Sequence, residues 1–98
     1  MKGWLLESDG DDRMLLRIPP GSVKTIGRGA RADFIVDAAL VSRVHCRLTA
    51  DGSGQLVVED LSSTNGTTVN GAPVTRAVIR TGDKLAVGRV TFLVSAVQ

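Results

Sequence analysis

The sequence predicts an all-β fold, an antiparallel β-sandwich of about eleven short strands. Three observations carry that prediction. Apolar residues arrive in runs of about five, too short for most helices, and turn residues separate the runs. No stretch reads convincingly as a helix. Eleven glycines, set against two phenylalanines, one tryptophan and no tyrosine, suit many tight turns around a valine, leucine and isoleucine core.

Residues 3–7 and 14–18 read as a hairpin across Asp9-Gly10-Asp11-Asp12, because Asp-Gly is a turn signal. Pro19-Pro20-Gly21-Ser22 turns the chain again, the prolines fixing φ and withdrawing N–H donors. Residues 23–26 form a strand that ends at Gly27-Arg28, and 34–36 form a short apolar strand after a loop over 29–33. Residues 44–49 alternate, with Val44, Cys46 and Leu48 on one face and His45, Arg47 and Thr49 on the other. Asp51-Gly52-Ser53-Gly54 leads into a strand over 55–61. Strands over 67–69 and 72–74 flank Asn70-Gly71, the strongest two-residue hairpin signal in the chain. Strands over 78–80, 84–87 and 90–97 complete the set, with Gly82-Asp83 and Gly88-Arg89 as turns. In such a sandwich the loops gather at the two ends, where binding groups are expected.

Ninety-eight residues suffice for one core and not for two, so a single domain over 1–98 is expected. A hydrophobic share of 43% with 22% charged residues marks a globular chain rather than a disordered one. The formal charge of +2 permits an anionic ligand, but no Lys/Arg run supports nucleic-acid binding. No stretch approaches the roughly 20 apolar residues of a membrane span. Glu7 interrupts the short apolar run from Trp4 to Leu6, so no signal sequence is read. The lone Cys46 fits a reducing compartment, and a cytoplasmic location is expected. One His and one Cys fall short of a metal-ligand set, and no cofactor is implied.

Several polar residues stand out from this frame. Arg28 follows Gly27 at a strand end, where a guanidinium either presents a planar fork to an anion or remains a solvated surface group. Ser42 and Arg43 precede an alternating strand; with nearby N–H groups they make an anion site, unless Ser42 merely caps a turn. His45 reads either as a general base beside Ser42 or as a brace tying two loops through its ring nitrogens, the brace being favoured. Cys46 alternates toward the core as an inert thiol. Residues 62–67, Ser-Ser-Thr-Asn-Gly-Thr, make a loop longer and more polar than a turn needs, in which Asn65-Gly66 suits positive φ.

Four motifs occur in order. They are Ile26-Gly27-Arg28, then Ser42-Arg43-x-His45, then Asp60-Leu61-x-Ser63-x-Asn65-Gly66-Thr67-x-Val69-Asn70-Gly71, then Gly82-Asp83-x-Leu85-x-Val87-Gly88. Together they closely resemble the forkhead-associated (FHA) domain, over a motif-bearing core of about residues 24–94. The resemblance implies a sandwich of about eleven strands that binds phosphothreonine peptides without catalysis, in Ser/Thr-kinase signalling. By that resemblance Arg28, Ser42 and Thr64 contact the phosphate, and Arg43 is an additional basic contact. Asn65 hydrogen-bonds the peptide backbone, while His45 and Gly66 shape the site, His45 by bracing the loop that carries Ser42. Gly27 lets Arg28 emerge at the correct angle. Arg31 lies in the adjacent loop, where it can add charge, although the family pattern does not fix it. Leu40, two residues before Ser42, stands where related domains choose the third residue after the phosphothreonine, and implies an apolar preference there. Two other readings compete: a phosphate-independent scaffold on the same fold, and a small hydrolase using Ser42 and His45. The first loses ground to the joint presence of Arg28, Ser42, Arg43, Thr64 and Asn65. The second lacks a Gly-x-Ser-x-Gly elbow and an evident acid.

Overall fold

The structure is a computed structural model that describes residues 2–10 and 13–98. Among the described residues the chain forms eleven strands and no helix. They are β1 (Trp4–Ser8), β2 (Leu15–Ile18), β3 (Val23–Gly27), β4 (Phe34–Ile35), β5 (Cys46–Ala50), β6 (Leu56–Asp60), β7 (Thr67–Val69), β8 (Ala72–Val74), β9 (Arg76–Ile79), β10 (Lys84–Val87) and β11 (Val90–Ala96). A six-stranded sheet runs β2-β1-β11-β10-β7-β8, and a five-stranded sheet runs β4-β3-β5-β6-β9. The sandwich expected from the strand spacing is present.

Alternation decides which side chains face the gap between the sheets. Leu6 of β1, Ile18 of β2, Leu85 and Val87 of β10, and Phe92 and Val94 of β11 enter from one side. Ile26, Cys46, Leu48, Leu56, Val58 and Ile79 enter from the other, and all of these are buried. Burial raises the Cys46 thiol pKa to about 12, with the charge of Asp60 adding to the effect. The thiol is therefore inert, as its alternation toward the core implied.

The turns follow local chemistry. Asn70 and Gly71 both take positive φ, 51° and 84°, as the hairpin between β7 and β8 requires. The β1–β2 hairpin closes through Ser8 N–H to Met14 O and Met14 N–H to the Ser8 hydroxyl. Asp11 and Asp12 of its expected turn lie outside the described residues.

Three features differ from the expectation. The β3–β4 pairing is parallel, Ile26 opposite Phe34 and Gly27 opposite Ile35, in an otherwise antiparallel set. The cause is Asp33, whose carboxylate accepts from the Thr25 N–H at 2.9 Å and lies 3.2 Å from the Thr25 hydroxyl. That staple draws the chain back beside β3, so β4 starts in the same direction. The strand expected over 44–49 begins only at Cys46, because Arg43 O is taken by the Gly29 N–H across the loop. The strand expected over 78–80 starts earlier, at Arg76 opposite Glu59, and stops at Ile79. It stops there because the Arg80 N–H donates to the Asp83 carboxylate at 2.8 Å. Among the described residues no helix is long and apolar enough to cross a membrane.

Candidate functional site

Three loops reach one end of the sandwich and are tied together by hydrogen bonds. The Arg28 N–H donates to Ser42 O at 2.9 Å, and the Gly29 N–H to Arg43 O at 3.0 Å. The start of the β3–β4 loop thus runs against residues 42 and 43. Gly27 permits that approach. A Cβ on it would lie 2.7 Å from the Arg43 carbonyl carbon and 2.8 Å from Val44 Cα, with the Arg43 oxygen closer still. The exit angle of Arg28 was the role expected for this glycine; the crossing of residues 43 and 44 is the constraint the geometry supplies.

His45 is fully buried and joins the other two loops. The Ser42 N–H donates to Nδ1 at 3.0 Å, and Nε2 lies 2.8 Å from Gly66 O. A backbone N–H can only donate and a carbonyl can only accept, so the ring must be the neutral tautomer with its proton on Nε2. Both nitrogens are then occupied by backbone groups.

The hydroxyl of Ser42 accepts the Thr64 N–H at 3.1 Å. Among the described residues its own hydrogen has no acceptor. Asn65 donates from Nδ2 to Leu40 O at 3.3 Å, and its amide oxygen has no partner among the described residues. Leu40 has φ of 71°, a left-handed conformation that costs a β-carbon-bearing residue on the order of 1–2 kcal/mol. Its carbonyl sits against Gly88, where a Cβ would come within 2.6 Å of it. Gly66 takes φ of 86° as expected, but the second residue of that loop with positive φ is Ser62 at 57°, not Asn65.

The loop over 61–66 is organised by Asp60 at the end of β6. Its carboxylate accepts the Ser63 N–H at 3.1 Å, the Ser63 hydroxyl and the Thr67 hydroxyl at 2.7 Å, while the Ser63 oxygen accepts the Gly66 N–H at 3.0 Å. Burial pushes the Asp60 carboxyl up, but the bonds from Ser63 and Thr67 outweigh it and hold the pKa below the ordinary value of 3.8. A carboxyl with a lowered folded pKa contributes stability that is complete above its unfolded pKa and lost as pH falls through the folded one. Acid should therefore loosen this loop. Below about pH 4 the Ser63 and Gly66 amide signals should move with a midpoint under 3.8, and Asp60→Asn should abolish that step.

Arg28, Arg43, Thr64 and Asn65 are exposed, Ser42 is half-buried, and Gly27 is buried. Among the described residues no carboxylate lies within 4.0 Å of the Arg28, Arg31 or Arg43 guanidinium. Arg43 lies beside Gly29 and, with Gly29, Ala30, Arg31 and Val44, lines a groove of about 490 Å³. Arg28, Ser42 and Thr64 do not line that groove.

The family model of the FHA domain matches residues 24–88. The chain belongs to the FHA family. Among curated relatives, it is similar to the glycogen accumulation regulator GarA of Mycolicibacterium smegmatis, 40% identical over 83% of this chain and 50% of that protein. It is also similar to the FHA domain-containing protein FhaA of Mycobacterium tuberculosis, 44% identical over 70% of this chain and 13% of that protein. Among solved structures it superposes at a TM-score of 0.89 on a domain from a structural and functional analysis of phosphothreonine-dependent FHA domain interactions. That domain is 33% identical, and the match covers 98% of both chains. The chain therefore spans half or less of the length of these two curated relatives.

Two residues of this FHA domain carry more of the site than their sequence context announced. Asp60 and Ser63 lie inside the third motif, yet only the folded loop shows the carboxylate ordering it. An acidic residue at a strand end with a serine three residues on is a local turn signal of the Asx kind that could have assigned this role. Gly88 was read as a turn residue, with nothing in the sequence to indicate that it supports the Leu40 loop.

Proposed function

We propose that this FHA domain is a non-catalytic module that binds phosphothreonine in partner proteins, in the setting of Ser/Thr-kinase signalling. The observation that carries this is the convergence of Arg28, which has no carboxylate within 4.0 Å among the described residues, with the hydroxyl-bearing Ser42 and Thr64 across three hydrogen-bonded loops. A phosphothreonine brings about −1.5 to −2 charges and three acceptor oxygens, which one or two guanidiniums and two hydroxyls suit. Arg43 adds a second cation at the margin, and Asn65 has its amide oxygen available for a peptide N–H. The similarity to a domain solved for phosphothreonine-dependent interactions supports the same reading.

Hydrolysis by Ser42 and His45 is disfavoured by the ring geometry. His45 receives the Ser42 backbone N–H rather than its hydroxyl, and its other nitrogen faces a carbonyl, so no nitrogen remains to take a proton. A cytoplasmic location is consistent with this role.

Matched peptides differing only in threonine, phosphothreonine or phosphoserine test the proposal by fluorescence anisotropy. Binding restricted to phosphothreonine supports it, whereas equal binding of the unphosphorylated peptide would favour a phosphate-independent scaffold. Leu40, exposed and rigidly held by Asn65 and Gly88, should favour an apolar residue at the third position after the phosphothreonine. Selection of aspartate there from a degenerate phosphopeptide library would refute that preference.

A further inference from the structure

We propose that the groove between Arg31 and Arg43 is a second anion subsite, which takes an acidic side chain or a second phosphate on the same phosphothreonine peptide. The proposal rests on the phosphopeptide reading of the neighbouring loops and extends it to the chemistry of the ligand beside the phosphothreonine.

The groove is built from the turn after Arg28. The Ala32 N–H donates to Gly29 O at 3.2 Å, closing a tight turn that displays Arg31 at its tip. The Asp33–Thr25 staple fixes the far end of the same loop. Gly29 keeps the floor low: a Cβ there would lie 3.2 Å from both Arg43 Cβ and Arg43 O. Ala30 and Val44, which complete the lining, are apolar, so Arg31 and Arg43 are its only charged residues.

Electrostatics then select the occupant. Two arginines line one concavity, and neither guanidinium has a carboxylate within 4.0 Å among the described residues. The carboxylate nearest in sequence, Asp33, is turned to the Thr25 N–H and hydroxyl. Like charges facing one cleft raise its affinity for an anion with two or more oxygens, and guanidinium matches both carboxylate and phosphate bidentately. The phosphothreonine itself is placed elsewhere, because Arg28, Ser42 and Thr64 do not line this groove. Arg43 follows Ser42 directly and forms one wall, so an extended peptide anchored at Ser42 passes within a few residues of the groove.

The test is an anisotropy titration of the intact 98-residue chain with a phosphothreonine peptide whose other residues are neutral. One aspartate, and separately one phosphoserine, is then moved through each position on either side. One register should bind about fivefold more tightly than the neutral parent, and the gain should shrink as salt is raised. Arg31→Ala should remove the gain in that register while leaving the neutral parent within about twofold. A clearly larger gain for phosphoserine than for aspartate assigns the subsite to a second phosphate, and equal gains assign it to a carboxylate. Normal binding of the neutral parent with no favoured register, or a gain that survives Arg31→Ala, overturns the second subsite alone. Failure of the neutral phosphothreonine parent to bind overturns the phosphopeptide reading itself.

Discussion

Replacing Arg28 with alanine should weaken phosphothreonine-peptide binding by about 10- to 150-fold, equivalent to about 1.5–3 kcal/mol, the range of a charge-assisted hydrogen bond. The side chain is exposed and has no carboxylate partner among the described residues, while the local fold is held by the backbone N–H to Ser42 O. Removal of the guanidinium should therefore leave stability within about 0.5 kcal/mol of the parent, as for an ordinary surface substitution. Arg28→Lys should recover only part of the affinity, because an ammonium keeps the charge and loses the planar fork. Isothermal titration calorimetry with a phosphothreonine peptide, paired with a denaturant melt, checks both halves. Unchanged affinity with an intact fold would mean that Arg28 does not hold the phosphate.

Gly27→Ala should act in the opposite manner, on the fold first and on binding as a consequence. The added methyl meets backbone atoms of Arg43 and Val44, which cannot swing aside as a flexible side chain would. Relief requires residues 42–44 to move away from β3, breaking the Arg28–Ser42 and Gly29–Arg43 backbone bonds and pulling on the Ser42–His45 contact. A loss of about 3 kcal/mol is expected, at the upper end of overpacking effects. Affinity should fall even under conditions where the variant is still folded, since the displaced segment carries Ser42. A melt indistinguishable from the parent would show that the crossing of these loops is not a constraint.

The parts of this fold that could be read from residues alone are those set by neighbours in sequence. Asn70-Gly71 specifies its hairpin because two adjacent residues must adopt positive φ, and alternation along residues 46–50 marks the buried face. What escaped depends on contacts between distant residues. The parallel β3–β4 pair needs Asp33 to reach Thr25, and the premature end of β9 needs Asp83 to capture the Arg80 N–H. The same division holds in the site. The loops bearing Arg28, Ser42 and Thr64 were recognisable as motifs. The left-handed Leu40 was not, because its conformation is maintained by Asn65 and Gly88, twenty-five or more positions away.

If the loops bearing Arg28, Ser42 and Thr64 form one phosphothreonine site, a backbone-amide NMR titration should reveal all three at once. Matched phosphothreonine, phosphoserine and unphosphorylated peptides are added to the labelled chain. The predicted result is a set of shifts centred on Gly27, Arg28, Ser42, Arg43, Thr64, Asn65 and Gly66, seen with phosphothreonine alone. Shifts of the same residues with the unphosphorylated peptide, or no shift with any member of a degenerate phosphopeptide pool, would contradict it.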